Sequence, residues 1–191
     1  GMVERQAGTG RYDLGGAALT LGLAAIGRLD PEGLAAAALA DLRDILDESA
    51  CIVTWGNRGP TVIAVEQAGR SVAVNVRAGS VLSSLRSASG QAFVAWQAGT
   101  ATDTLVKGEL SALEWSEDVL SGLVETIRRD GVARVEGTQL PGVSALAAPV
   151  FDHAGRMRFA LTALGPSTAF DIDPGGATAR TVLGAAAELS G

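Results

Sequence analysis

The amino-acid sequence predicts an α+β domain in which an antiparallel sheet is backed by helices. Two groups of β-rich runs are divided by short turns, which is typical of strands that pair antiparallel. Apolar residues at helical spacing precede, separate and follow these groups. The chain has 191 residues, 47% of them apolar, so it can bury one substantial core between a sheet and its helices.

The first residues predict a β-hairpin followed by a connecting helix. Residues 2–6 and 11–15 flank a turn of glycine and threonine, and so short a hairpin is only marginally stable alone. We therefore expect it to be the remnant of a domain that lies outside this chain. The connecting helix is predicted from apolar residues at roughly helical spacing, namely Leu14, Ala18, Leu21, Ala25 and Leu29.

The remaining helices are predicted from capping residues and apolar stripes. Asp30 and Pro31 begin a helix that reaches Leu46, and Asp173 and Pro174 begin the last helix. A serine-rich loop at 83–87 leads into a helix that includes residues 91–96. The polar stretch 98–109 predicts turns, and residues 110–129 predict one helix that Gly131 ends.

The predicted sheet contains two groups of strands. A helix-rich segment separates the groups, and short turns join the strands within each group. The first group is predicted to form a meander. The strands are expected at residues 50–55, 61–66 and 70–76, and then at 132–135, 143–151 and 157–164.

Composition and charge exclude several classes of function. The net charge is −6, and the 15 Lys and Arg residues form no dense block, so this segment alone is not expected to bind nucleic acid. Its apolar runs are shorter than the roughly 18 to 20 residues that span a bilayer. The single cysteine cannot form an intrachain disulfide, and no signal-peptide pattern is visible, which favours the cytoplasm.

The sequence also predicts no catalytic, metal or cofactor site. His153 lies in a turn, where a solvated surface histidine is usual, and no nucleophile with a base and an orienting group is recognisable. One histidine and one cysteine cannot build a typical zinc centre. Neither a Walker motif nor a dinucleotide-binding glycine pattern occurs. A small enzyme is therefore disfavoured.

The best candidate site from the residues themselves is the helix entry at residues 87–90. Small side chains allow close approach there, and the free N–H groups and dipole of a helix N-terminus favour an anion such as a carboxylate. The alternative is that Ser87 merely caps the helix, which is worth about 1 kcal/mol. The residue pattern alone does not separate these two interpretations.

Several stretches resemble the IclR family of bacterial transcriptional regulators. The resemblance covers nearly the whole chain in order, and the last stretch is the most specific. It implies a wing remnant at residues 1–14, a linker helix at 15–29 and a GAF-like effector-binding domain at 30–191. The stretches are residues 10–15 (GRYDLG), 77–82 (RAGSVL) with 88–92 (ASGQA), 130–133 (DGVA) and 142–152 (GVSALAAPVFD).

The resemblance further implies an effector pocket between the sheet and the loop that enters the helix. It also implies homodimers or homotetramers, and DNA binding by a winged helix-turn-helix outside this chain. The implied effector-binding residues are Ser71, Val74, Leu82, Ala88, Ser89, Val135, Val143, Ala145, Thr162 and Leu164. Arg86 is a possible contact to a ligand carboxylate, although a solvated loop cation needs no such function.

Three implied pocket positions depart from the family's pattern towards apolar residues. Val135 stands where an acidic residue is common, Ala145 where cysteine is common, and Leu164 where serine is frequent. Such a pocket would leave the polar groups of a compact polar acid unpaired. We therefore expect an apolar or aromatic acid as effector. The alternative function is a stand-alone GAF-like sensor that acts on a protein partner without binding DNA.

Overall fold

The computed structural model describes residues 1–6, 10–29, 33–69, 76–97 and 100–190. The chain divides into two compact units, residues 1–34 and 35–191. In the first unit, β1 (Val3–Arg5) and β2 (Tyr12–Leu14) pair antiparallel and α1 (Gly16–Leu29) follows directly. The predicted hairpin and connecting helix are confirmed.

The second unit contains a five-stranded antiparallel sheet in the order β4-β3-β7-β6-β5. Helices cover both of its faces, so the predicted α+β class is confirmed. The elements after α1 are α2 (Leu34–Leu46), β3 (Ser49–Gly56), β4 (Gly59–Glu66), α3 (Ala88–Trp96), α4 (Thr100–Leu113), α5 (Glu117–Asp130), β5 (Ala133–Glu136), β6 (Val143–Phe151), β7 (Met157–Pro166) and α6 (Ala177–Glu188).

Alternate residues of the strands serve two separate cores. Ala50 and Ile52 of β3 face the core that the sheet forms with the apolar stripes of α2 and α6. Cys51 and Val53, between and beside them in sequence, belong instead to the core formed with α3 and α5. This division follows from the period of two along a strand. The candidate site lies on the α3 side.

The sequence prediction was wrong in the segment between the first and second groups of strands. Residues 100–113, expected to contain turns up to 109, form α4, and the single helix expected over 110–129 is divided. Glu114 has a left-handed backbone conformation with φ of 56°, and Ser116 caps α5 by accepting a hydrogen bond from the Val119 N–H at 3.3 Å. Packing of Val106 and Leu110 against Leu85 stabilises α4 in spite of its polar surface.

The start of the last helix also differs from expectation, and two other predicted features lie outside the described residues. The last helix begins at Ala177 rather than near Asp173. The carboxylate of Asp173 accepts a hydrogen bond from the Gly175 N–H at 3.0 Å, which forms a turn before the helix. The strand predicted at 70–76 lies, except for Val76, outside the described residues, and so does the capping residue Asp30.

Candidate functional site

A cavity of about 200 Å³ lies between the sheet and the N-terminus of α3. Eight of the ten residues predicted as effector-binding line it. Ser71 and Val74, the other two, lie outside the described residues. The eight residues that the structure brings together are Leu82, Ala88, Ser89, Val135, Val143, Ala145, Thr162 and Leu164.

Strand register explains why the wall residues share one face. Val135 of β5 pairs with Ala145 of β6, which pairs with Leu164 of β7. The neighbouring row on the same face includes Thr162 of β7 paired with Cys51 of β3, because these positions lie two residues along from the first row. The first row is wholly apolar, whereas the second supplies a hydroxyl and a thiol.

Sequence reasoning missed six further residues of the cavity wall, whereas a seventh, Ser87, belongs to the helix entry that the sequence indicated. Strand register could have indicated Cys51 of β3, since it lies opposite Thr162 of β7. The others lie on loops, where no periodic pattern predicts orientation. The six are Cys51, Val76, Ser80, Val81, Gln139 and Leu140.

The entry of α3 combines a helix cap with two backbone donors at the cavity wall. The Ser87 hydroxyl accepts a hydrogen bond from the Gly90 N–H at 3.0 Å and donates one to the Ser83 carbonyl at 2.6 Å. No described residue accepts a hydrogen bond from the backbone N–H of Ala88 or of Ser89. Capping by Ser87 and anion binding at the next two N–H groups are therefore compatible.

Gly90 allows α3 to approach the serine-rich loop very closely. A Cβ at this position would lie 2.7 Å from both the Cα and the carbonyl oxygen of Ser84, and it would also meet the Ser83 carbonyl oxygen. Real Cβ atoms do not approach backbone so closely, so even alanine would force the helix and loop apart. The close approach of α3 to the serine-rich loop therefore requires glycine at position 90.

Glu109 of α4 holds the other side of the same loop. Its carboxylate accepts hydrogen bonds from the Ser83 hydroxyl, from the Ser84 N–H at 2.7 Å and from the Leu85 N–H at 2.9 Å. Bonds to an ionised acceptor are stronger than those between neutral groups. The loop that leads into α3 is therefore fixed by one acidic side chain.

A small buried polar cluster lies on the sheet side of the cavity. The Ser89 and Thr162 hydroxyl oxygens are 2.9 Å apart and hydrogen-bonded. Burial raises the pKa of the Cys51 thiol from its ordinary value of 9.0 to about 12, an increase that a hydrogen bond with Thr162 partly offsets. A thiol with so high a pKa is not a nucleophile at neutral pH.

The structure does not place Arg86 in the cavity wall. Its side chain is exposed, and its Nε donates a hydrogen bond to the Thr138 carbonyl at 3.1 Å. All residues that line the cavity in the described part of the chain are uncharged. A bound acid would therefore meet neutral donors there rather than a cationic side chain.

Within the described residues, no group of three or more His, Cys, Asp or Glu side chains is arranged to hold a metal ion. None of the helices in that part of the chain has the length and apolar character needed to cross a membrane.

Comparison with known proteins identifies the fold and the family. Residues 24–191 match the family described as Bacterial transcriptional regulator IclR C-terminal. The chain belongs to the IclR family. It is 40% identical to HmgR of Pseudomonas aeruginosa, whose crystal structure it matches over 100% of this chain and 77% of that chain with a TM-score of 0.79. No curated protein matches the sequence.

More distant IclR-type structures share the fold. An IclR-type regulator of Silicibacter sp. TM1040 is 20% identical, with a TM-score of 0.84 over 100% of this chain and 77% of that chain. Thermotoga maritima IclR is also 20% identical, with a TM-score of 0.75 over 99% and 78%. Membership of the IclR family makes this chain the regulatory, effector-binding part of a transcriptional regulator and not an enzyme.

Proposed function

We propose that this IclR-type domain binds an apolar or aromatic carboxylic acid in the cavity and thereby modulates DNA binding by a winged helix-turn-helix. The observation that carries the proposal is the combination of an apolar wall with two N–H donors from which no described residue accepts a hydrogen bond. Val135, Ala145 and Leu164 form the wall, and the N–H groups of Ala88 and Ser89 lie at the α3 N-terminus.

Each part of such a ligand has a complement in the cavity. Burial of the apolar part gains about 25 cal/mol per Å² removed from water. A carboxylate at a helix N-terminus gains hydrogen bonds and a favourable dipole interaction of about 0.3–1 kcal/mol. A compact polar acid would place its second polar group against the apolar wall, where it would lose hydrogen bonds to water without replacement.

We further propose that α1 transmits the bound state. In this scheme residues 1–14 are the wing of the DNA-binding domain, residues 15–29 the linker helix, and residues 30–191 the effector-binding domain. The effector would act by binding one arrangement of a homodimer or homotetramer better than another. The exposed apolar side chains Leu19, Leu23 and Ile26 of α1 support contact with a second copy of the chain.

Thermal unfolding with a panel of small acids tests the proposed ligand class. Benzoate and hexanoate should each raise the melting temperature more than pyruvate, glyoxylate or the neutral amides do. A ligand at 100 times its Kd adds about 2.7 kcal/mol, which corresponds to roughly 5–10 °C for a domain of this size. Absence of any shift with apolar acids at millimolar concentration would overturn the proposal.

A pair of variants locates the binding site. Ala145→Leu adds three carbons to the cavity wall and should abolish the shift, whereas Ala187→Leu adds the same atoms to an exposed position of α6. Both proteins should unfold cooperatively without ligand. If Ala145→Leu keeps the full ligand-induced shift, the acid binds elsewhere.

A further inference from the structure

Gln139 is the one cavity-lining amide in the described part of the chain, and it lies on the loop between β5 and β6. Its side-chain oxygen, Oε1, accepts a hydrogen bond from the Ser83 N–H at 3.3 Å. Because a backbone N–H can only meet an acceptor, this contact decides the orientation of the amide. The nitrogen Nε2 then lies on the other side of the amide group, and no described residue accepts a hydrogen bond from it.

The neighbouring residue fixes the loop that carries this amide. The Thr138 hydroxyl donates a hydrogen bond to the Arg86 carbonyl at 2.6 Å, and the Thr138 carbonyl accepts one from the Arg86 Nε at 3.1 Å. The Gly137 N–H also donates to the Val143 carbonyl at 2.8 Å. Gln139 is therefore held beside the serine-rich loop before any ligand binds, which lowers the entropy lost on binding.

We propose that Gln139 is a specificity-determining residue whose Nε2 donates a hydrogen bond to the bound acid, an inference that rests on the proposed function. The described cavity wall has no cation, so neutral donors must replace the water around a carboxylate. The Ala88 and Ser89 N–H groups supply two donors, and a carboxylate can accept more than two. The Gln139 amide supplies a further donor and favours carboxylates over amides.

The variant Gln139→Glu tests this role with little change in shape. It keeps an oxygen for the Ser83 N–H but replaces the donating nitrogen by a second acceptor. Titration calorimetry should show the Kd of benzoate raised about tenfold or more, since a repulsive contact replaces a hydrogen bond. The Kd of benzamide should stay the same or fall, because its NH₂ group can donate to the new carboxylate.

Two other variants distinguish loss of the hydrogen bond from the Gln139 Nε2 from a general effect of charge near the cavity. Glu136→Gln makes the reverse exchange on an exposed β5 position three residues away, and both Kd values should change less than about twofold because solvent screens the charge. Gln139→Leu removes the donor without adding charge and should weaken benzoate without favouring benzamide. Circular dichroism of each variant establishes that the fold is retained.

The outcomes distinguish this inference from the proposed function. Suppose that the wild-type chain binds benzoate, and that Gln139→Glu either raises the Kd values of benzoate and benzamide equally or changes neither Kd. Gln139 then does not select the acid, although the proposed ligand class stands. The same holds if Gln139→Leu binds benzoate as the wild type does. If the wild-type chain binds neither benzoate nor hexanoate, the proposed function fails and this inference fails with it.

Discussion

At the scale of single residues, burial of the cavity-lining Cys51 thiol makes the unfolding free energy depend on pH in the alkaline range. Its folded-state pKa is raised from 9.0 to about 12 by burial. The stabilising effect of the protonated thiol is therefore fully present below pH 9 and is lost as the pH rises from about 9 to about 12, because only the unfolded chain releases the proton in that range.

We expect the wild-type chain to lose about 2 kcal/mol of unfolding free energy relative to Cys51→Ala between pH 8.5 and 10.5. Urea denaturation at several pH values measures this difference, and the other titrating groups cancel because both proteins contain them. Parallel pH profiles would show that the thiol titrates near 9 in the folded protein, and hence that water reaches it.

The cavity residues show which parts of a site a sequence can predict. The positions of Ala88 and Ser89 could be predicted from the sequence, because small residues and a capping serine mark a helix entry. Their juxtaposition with Thr162 depends on strand pairing and was expected only through resemblance to a family. Gln139 could not be predicted, because its position depends on hydrogen bonds between two loops that lie 56 residues apart in sequence.

At the scale of elements, Glu109 connects α4 to the entry of α3. Two of its three donors are backbone N–H groups that have to be paired when they are buried, and the third is the Ser83 hydroxyl. Any change in the position of α4 would therefore alter the loop that precedes Ala88 and Ser89. In this way α4 contributes to the cavity without lining it.

The variant Glu109→Gln should lower the unfolding free energy by about 2 kcal/mol, because its NH₂ group cannot accept a hydrogen bond from the loop. It should also weaken binding of benzoate, since the α3 entry loses part of its support. Glu188→Gln, at an exposed position of α6, provides the matched control and should change neither quantity appreciably. An unchanged stability of Glu109→Gln would mean that the loop is held mainly by Ser87 and Gly90.

Elements with strong patterns were predictable, and those defined by tertiary packing were not. The strands β3, β4, β6 and β7 follow β-rich runs with clear turns between them, and their positions are confirmed. For α4, only Val106 and Leu110 are buried among its described side chains, so its helical pattern is weak. The break before α5 depends on the capping serine Ser116 and on the left-handed backbone of Glu114.

At the scale of the whole molecule, α1 presents an apolar stripe that a single chain leaves exposed. Leu19, Leu23 and Ile26 are 65%, 60% and 41% exposed and lie at spacings of four and three residues, on one face of the helix. Exposed apolar stripes of this kind mark contact surfaces. A second copy of the chain is the occupant that the proposed homodimer requires.

We expect the chain to self-associate through this stripe. The double variant Leu19→Glu with Leu23→Glu should raise the dissociation constant of the dimer at least about tenfold, because the new carboxylates would be desolvated without partners. Ala17→Glu with Ala24→Glu adds the same charge to exposed positions on the opposite side of α1 and serves as the matched control. Analytical ultracentrifugation over a range of concentrations measures both constants. Equal weakening by the two pairs would indicate charge repulsion rather than loss of a contact, and a wild-type chain that stays monomeric would contradict the proposed dimer.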